Sequence, residues 1–266
     1  YNDIYLMNPA HPESARMLIA STGGGWFPID FSPDDKQLLV FNYVSVTDNQ
    51  LYLIDIAQGS LRKLTSSNVP VSYEGLQFAP DGRLWAASDD GSDVKRLGIV
   101  NLETSLFEPL VDEKVWDIAN FDISQNGRWI AFEVNQAGRS LLKFYDTQNG
   151  DIQVVDALPT GVISGVKFAP WGELGLTLNS NRTGIDAYSV NPETLAVTRW
   201  TRSETGGLDA ADNVAPELVE IESFDGEKMS GFLYRPDPAR HKGKRPLIIN
   251  IHGGPEGQAT PRFLGR

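Results

Sequence analysis

Phe31-Ser32-Pro33-Asp34-Asp35-Lys36-Gln37-Leu38 decides the fold, because the same pattern comes back three times along the chain. It returns as Phe78-Ala79-Pro80-Asp81-Gly82-Arg83-Leu84, as Ile123-Ser124-Gln125-Asn126-Gly127-Arg128-Trp129, and as Phe168-Ala169-Pro170-Trp171-Gly172-Glu173-Leu174. The intervals are 47 residues (33 to 80), 45 (80 to 125) and 45 (125 to 170). A second marker keeps the same interval. Asn8, Asp55, Asn101, Asp146 and Asn191 each close a short apolar run; Ile4-Tyr5-Leu6-Met7 precedes the first and Leu51-Tyr52-Leu53-Ile54 the second. Self-similarity at a fixed period marks a repeat architecture.

Turn chemistry explains both markers. Proline fixes φ at the first turn position, and Asp, Asn or Gly then closes a tight hairpin. The Asn or Asp at the end of the apolar run can bond its own backbone and start the next turn. Each repeat therefore reads as four short strands, near Trp26–Phe31, Gln37–Val44, Gln50–Ile56 and Ser60–Thr65 in the first complete one. Four-stranded units of about 45 residues are propeller blades, whose two apolar faces are buried by stacking. The fold class expected is mainly β: a partial β-propeller followed by the first strands of a different domain. Residues 1–20 supply half a blade, and full blades fall near 24–66, 70–112, 116–158 and 162–203, with further blades expected before Tyr1. The six tryptophans recur near blade strands, which suits packing between blades.

Composition removes several classes of function. The formal net charge is −12, and a nucleic-acid binder needs clustered Lys and Arg. There is no cysteine, so disulfides, thiolate metal sites and a cysteine nucleophile are out. His11, His241 and His252 are far apart and form no metal-ligand spacing. Ser88–Asp93 comes nearest to a calcium loop but reads as a turn. The expectation is no metal, no cofactor and no nucleic acid. No run of 18 apolar residues is present, so no membrane span is expected. His11 and His241 fall in polar loops and are expected to be exposed bystanders.

The pattern changes after residue 203. Residues 204–216 are polar, carry Gly206-Gly207 and read as a linker. Two extended runs follow around Asp225-Gly226, a strong hairpin signal. A basic loop, Ala239–Arg245, leads to Pro246-Leu247-Ile248-Ile249-Asn250-Ile251-His252-Gly253-Gly254-Pro255-Glu256-Gly257-Gln258. Leu247–Ile251 suits a strand buried on both faces of a helix-flanked sheet. Glycines at the end of such a strand let backbone N–H groups face a cleft, as an oxyanion-binding corner requires. A His-Gly-Gly segment of this kind serves that role in lipases and esterases. His252, Gly253 and Gly254 are thus the candidate oxyanion-hole residues.

A Pro-Asp-Gly blade repeat, a short linker, a Phe-Asp-Gly hairpin ending in Tyr234-Arg235-Pro236 and a strand ending in His-Gly-Gly-Pro-Glu-Gly-Gln together resemble the prolyl oligopeptidase family of serine peptidases. The branch most similar is that of the bacterial acylaminoacyl- and dipeptidyl-peptidase-like members. The resemblance implies that 217–266 begins an α/β-hydrolase domain and that the propeller gates access for short peptides. It also implies that the catalytic Ser, Asp and His lie beyond Arg266. No Gly-x-Ser-x-Gly occurs in the chain, and His252 precedes any such serine, whereas the triad base follows it in this fold. The compartment is left open, with family analogy pointing towards a periplasmic or exported bacterial protein, and a homo-oligomer stays open. Two alternatives stand beside this reading. One is a TolB-like propeller serving as a protein-binding scaffold; the other is a non-peptidase esterase or amidase of the same fold.

Overall fold

The computed structural model describes residues 2–21, 23–65, 67–254 and 257–263. The chain divides into two compact units, Tyr1–Phe132 and Glu133–Arg266. It is a partial β-propeller built of successive four-stranded antiparallel sheets.

The first unit opens with a two-stranded sheet, β1 (Ile4–Asn8) and β2 (His11–Ile19). The first full sheet is a meander of β3 (Trp26–Phe31), β4 (Gln37–Ser45), β5 (Asp48–Asp55) and β6 (Leu61–Lys63). The second repeats it with β7 (Tyr73–Phe78), β8 (Leu84–Ser88), β9 (Arg96–Val100) and β10 (Phe107–Val111). The third runs β11 (Ile118–Ile123), β12 (Trp129–Gln136), β13 (Arg139–Asp146) and β14 (Ile152–Val154), and the division between units falls inside β12. In the second unit, β15 (Gly161–Phe168), β16 (Leu174–Ser180), β17 (Ile185–Val190) and β18 (Val197–Arg199) complete the fourth.

The two sequence markers do the turning. Asp35 N–H donates to the Ser32 carbonyl at 2.8 Å, Gly82 to Ala79 at 2.9 Å, Gly127 to Ser124 at 2.8 Å and Gly172 to Ala169 at 2.9 Å. The donor residue has positive φ in every case, 56° at Asp35 and 71–92° at the glycines. This is a type I turn closed by a left-handed residue, a standard hairpin loop. Asp34 accepts from the Ser32 hydroxyl and the Lys36 N–H, and these bonds hold its pKa down at about 2. The second marker forms Asx turns. Asp55 Oδ1 accepts from Ala57 and Gln58 N–H, Asn101 Oδ1 from Glu103 and Thr104, and Asn191 Oδ1 from Glu193 and Thr194.

Packing follows from burial on both sheet faces. Along β4, Leu38 and Val40 join Ile4, Leu18 and Ile54 in one core cluster. The intervening Leu39 joins Leu51, Leu53, Leu64, Tyr73, Phe78 and Leu84 in another. Period-two alternation thus assigns adjacent residues of one strand to two different interfaces. This is why Leu38–Phe41 is an unbroken apolar run, with Leu39 and Val40 both fully buried. In the first unit β3 lies beside β7, and β7 beside β11. Polar links fasten these neighbours: Asp30 Oδ2 accepts from Phe78 N–H at 2.9 Å, and buried Asn49 Oδ1 from Tyr73 N–H at 2.9 Å.

The tryptophans divide. Trp85 and Trp129 are buried, and Trp26 packs against Tyr52 with ring centroids 4.9 Å apart. Trp171 is 79% exposed. It occupies the turn position that Asp34, Asp81 and Asn126 hold in the other repeats, so its side chain projects from the hairpin tip instead of into an interface.

Candidate active-site segment

In the second unit the chain leaves the fourth sheet through a polar clasp. The Asp186 side chain is fully buried and accepts from Arg199 Nη2 at 2.5 Å, Thr201 Oγ1 at 2.9 Å and Ser203 N–H at 2.7 Å. Burial alone would raise its pKa, but the Arg199, Thr201 and Ser203 donors outweigh that and the net direction is down. The linker is also tied back. Asn213 Nδ2 donates to the Arg182 carbonyl at 2.7 Å, and Arg182 Nη1 to the Ala211 carbonyl at 3.3 Å. A 3₁₀ turn at Ala210–Asp212 is capped by Asp209, whose carboxylate accepts from Ala211 N–H.

The hairpin expected around Asp225-Gly226 is present as β19 (Glu217–Glu222) and β20 (Lys228–Leu233). Gly226, at φ 86°, donates to the Ser223 carbonyl at 3.0 Å, repeating the turn chemistry of the blades.

Residues 246–251 belong to no sheet among the described residues, and Leu247, Ile248, Ile249 and Ile251 are 75–87% exposed. A central strand requires hydrogen-bonded neighbours on both edges and cover on both faces. No described strand of this chain lies beside these residues, so their apolar side chains stand open. His252, Gly253 and Gly254 follow, also outside any sheet and exposed, with a bend at Gly254. Pro255 and Glu256 lie outside the described residues. The His252 ring lies over its neighbour, with Nδ1 2.9 Å from the Gly253 carbonyl oxygen. A Cβ on Gly257 would overlap that carbonyl and sit 2.7 Å from His252 Nδ1. Only glycine fits at 257, so the corner is closed by a contact that the residue type dictates.

After the corner the chain returns to the blades, a feature the sequence reading did not include. Asn135 Nδ2 donates to Gln258 Oε1 at 2.9 Å, and Phe263 N–H donates to the Ser180 carbonyl at 2.8 Å. Pro261 is buried. His11 and His241 are exposed, and His11 lies 3.1 Å from Glu13. Neither is near the corner in sequence, and no bond joins either to it among the described residues.

No protein-family model and no curated protein sequence matches the chain. Solved structures do. A puromycin hydrolase superposes with a TM-score of 0.81 at 17% identity, over 94% of this chain and 40% of that one. A puromycin-hydrolyzing peptidase of Mycobacterium tuberculosis gives a TM-score of 0.79 at 14% identity, over 95% of this chain and 41% of that one. A structure from a study of two prolyl endopeptidases gives 0.70 at 19% identity, over 83% and 33%. The chain therefore spans about two fifths of the length of the puromycin hydrolase it matches, and its fold is the one these hydrolases and peptidases carry in that portion.

Proposed function

We propose that this chain is the propeller and the start of the catalytic domain of a serine peptidase of the prolyl oligopeptidase family, acting on short peptides. In this reading a serine oxygen supplied by the rest of the hydrolase domain attacks the scissile carbonyl. A C–O bond forms, the carbonyl oxygen becomes an oxyanion, and a histidine takes the serine proton. The His252–Gly254 segment provides a backbone N–H donor to that oxyanion, a contribution worth roughly 10²–10³ in kcat for one donor. The propeller limits access to oligopeptides.

One observation carries this reading. On a single chain, four-stranded blades run through a clasped linker and an Asp-Gly hairpin into a His-Gly-Gly corner closed by Gly257. A scaffold propeller accounts for the blades but gives no reason for a glycine-closed corner after them.

The test uses an active-serine probe. A fluorophosphonate is expected to label one serine in the protein that carries this chain together with a complete hydrolase domain. The same probe should leave the 266-residue chain unlabelled, because the chain holds no Gly-x-Ser-x-Gly. Labelling of the 266-residue chain, or none in the longer protein, overturns the proposal.

A further inference from the structure

The segment holding the His-Gly-Gly corner departs from the blades and returns to them at one residue. β20 ends at Leu233, and the ring of Phe232 just before it reaches Gly138, where a Cβ would sit 3.4 Å from Phe232 Cε2. That same Cβ would overlap the carbonyl oxygen of Ala259, on the returning side. Both feet of the excursion through residues 234–257 therefore stand on Gly138, in the two-residue turn Ala137-Gly138 between β12 and β13. Asn135, two residues before this turn begins, secures the returning foot. Its Oδ1 accepts from Gly138 N–H at 3.0 Å, which fixes the amide orientation and leaves Nδ2 for Gln258. Phe263 bonded to Ser180 makes a further tie on the next hairpin. The other ties are weak by comparison. Arg240–Asp212 and Arg235–Glu217 are ion pairs with both partners more than half exposed, and such pairs contribute little.

We propose that Gly138 and Asn135 are positioning residues, which set where the His252–Gly254 corner is held relative to the third and fourth sheets. The anchoring follows from the contacts above; its effect on catalysis rests on the oxyanion reading just given. A turn glycine would be the simpler account, since Gly138 has φ 87° and positive φ favours glycine in any hairpin. The distinguishing fact is the close approach. Gly150 and Gly172 have φ 80° and 92° and nothing within 4 Å of a Cβ, so they carry the same backbone demand without the contact.

The experiment is amide hydrogen exchange on the 266-residue chain, read over residues 257–263, where the Phe263 N–H bonded to Ser180 is the protected amide. Gly138→Ala should speed exchange there by about tenfold or more, and Asn135→Ala by about threefold to tenfold, as loss of local ties predicts. Gly150→Ala and Gly172→Ala should leave those residues unchanged. Gln258→Ala reads the same anchor from the other side if Gly138→Ala does not fold. Equal acceleration in the control variants, or none with Gly138→Ala and Gln258→Ala, overturns the anchoring. In the longer protein, Asn135→Ala should lower kcat with KM little changed, and Asn135→Gln, with a longer amide, should not restore it. Unchanged kcat overturns the positioning role. Failure of the peptidase reading on which this rests is seen separately, as a wild-type protein that no fluorophosphonate labels.

Discussion

Asp186→Ala removes the acceptor at the centre of the clasp between the fourth sheet and the linker. The carboxylate is fully buried and takes three hydrogen bonds, from Arg199, Thr201 and Ser203. Breaking a buried pair by deleting one partner costs about 3–5 kcal/mol, because the other charge is left uncompensated. Arg199 is 32% exposed and can recover water, which lowers its share. Thr201 is exposed and Ser203 half-buried, so their hydroxyl and N–H can also turn to water and lose less than the roughly 1–3 kcal/mol of a fully buried group. The expected loss is about 2–4 kcal/mol. For a domain of 150–250 residues each kcal/mol moves Tm by about 2–4 °C, so a fall of roughly 4–16 °C is expected. Trp200, whose Nε1 donates to Ser189 Oγ at 2.8 Å, reports on this region by fluorescence. Arg199→Ala should cost less than Asp186→Ala, since it leaves the Thr201 and Ser203 bonds in place. The pH dependence has a definite sign. A carboxyl whose folded pKa lies below its unfolded value stabilises above the unfolded pKa, and that stability is lost as pH falls through the folded one. The gap between wild type and Asp186→Ala should therefore narrow progressively as pH falls below about 4. A loss under about 0.5 kcal/mol, or a larger loss in Arg199→Ala, refutes the reasoning.

Two further outcomes are expected. Glu133 is buried, and burial raises its pKa despite the bond from the Ser140 hydroxyl. A raised pKa means the neutral form is favoured in the fold, so stability is lost as pH rises through the folded value. Glu133→Gln keeps an acceptor for Ser140 and should raise Tm at pH 7, with the gain vanishing near pH 4; a lower Tm at pH 7 refutes this. Trp85→Ala should cost about 3–5 kcal/mol in urea unfolding, as for other large core truncations, whereas Trp171→Ala, at a 79% exposed tip, should stay within about 0.5 kcal/mol. Similar costs at the two sites would contradict the packing described.

The blades were legible because their turns are local. Pro33-Asp34-Asp35 and Asp55 satisfy their own backbones within a few residues, so sequence alone states the geometry. Trp171 misled the reading for the same reason. Its spacing matched a repeat, but the position is a hairpin tip, and the side chain goes where the turn points it. Leu247–Ile251 reads as a buried strand from apolarity, yet burial depends on partners elsewhere in a sheet, which no residue in the run encodes. The anchor at Gly138 was hidden for a different reason. A glycine in a two-residue turn already has a sufficient explanation, and nothing in Asn135–Gly138 announces a neighbour 120 residues onward. Asp186 was equally silent, because its three donors gather only once β17 and β18 are paired.

The hairpin tips have a consequence for divergence. Each carries its whole specification in a proline or Ser/Asn hydroxyl-amide device plus one left-handed residue, and owes nothing to the identity of neighbouring sheets. Interface positions need only be apolar and of compatible bulk. A chain built this way can exchange most of its letters over time while every corner still bends at the same place, so kinship within the architecture is written in shape long after it has faded from spelling.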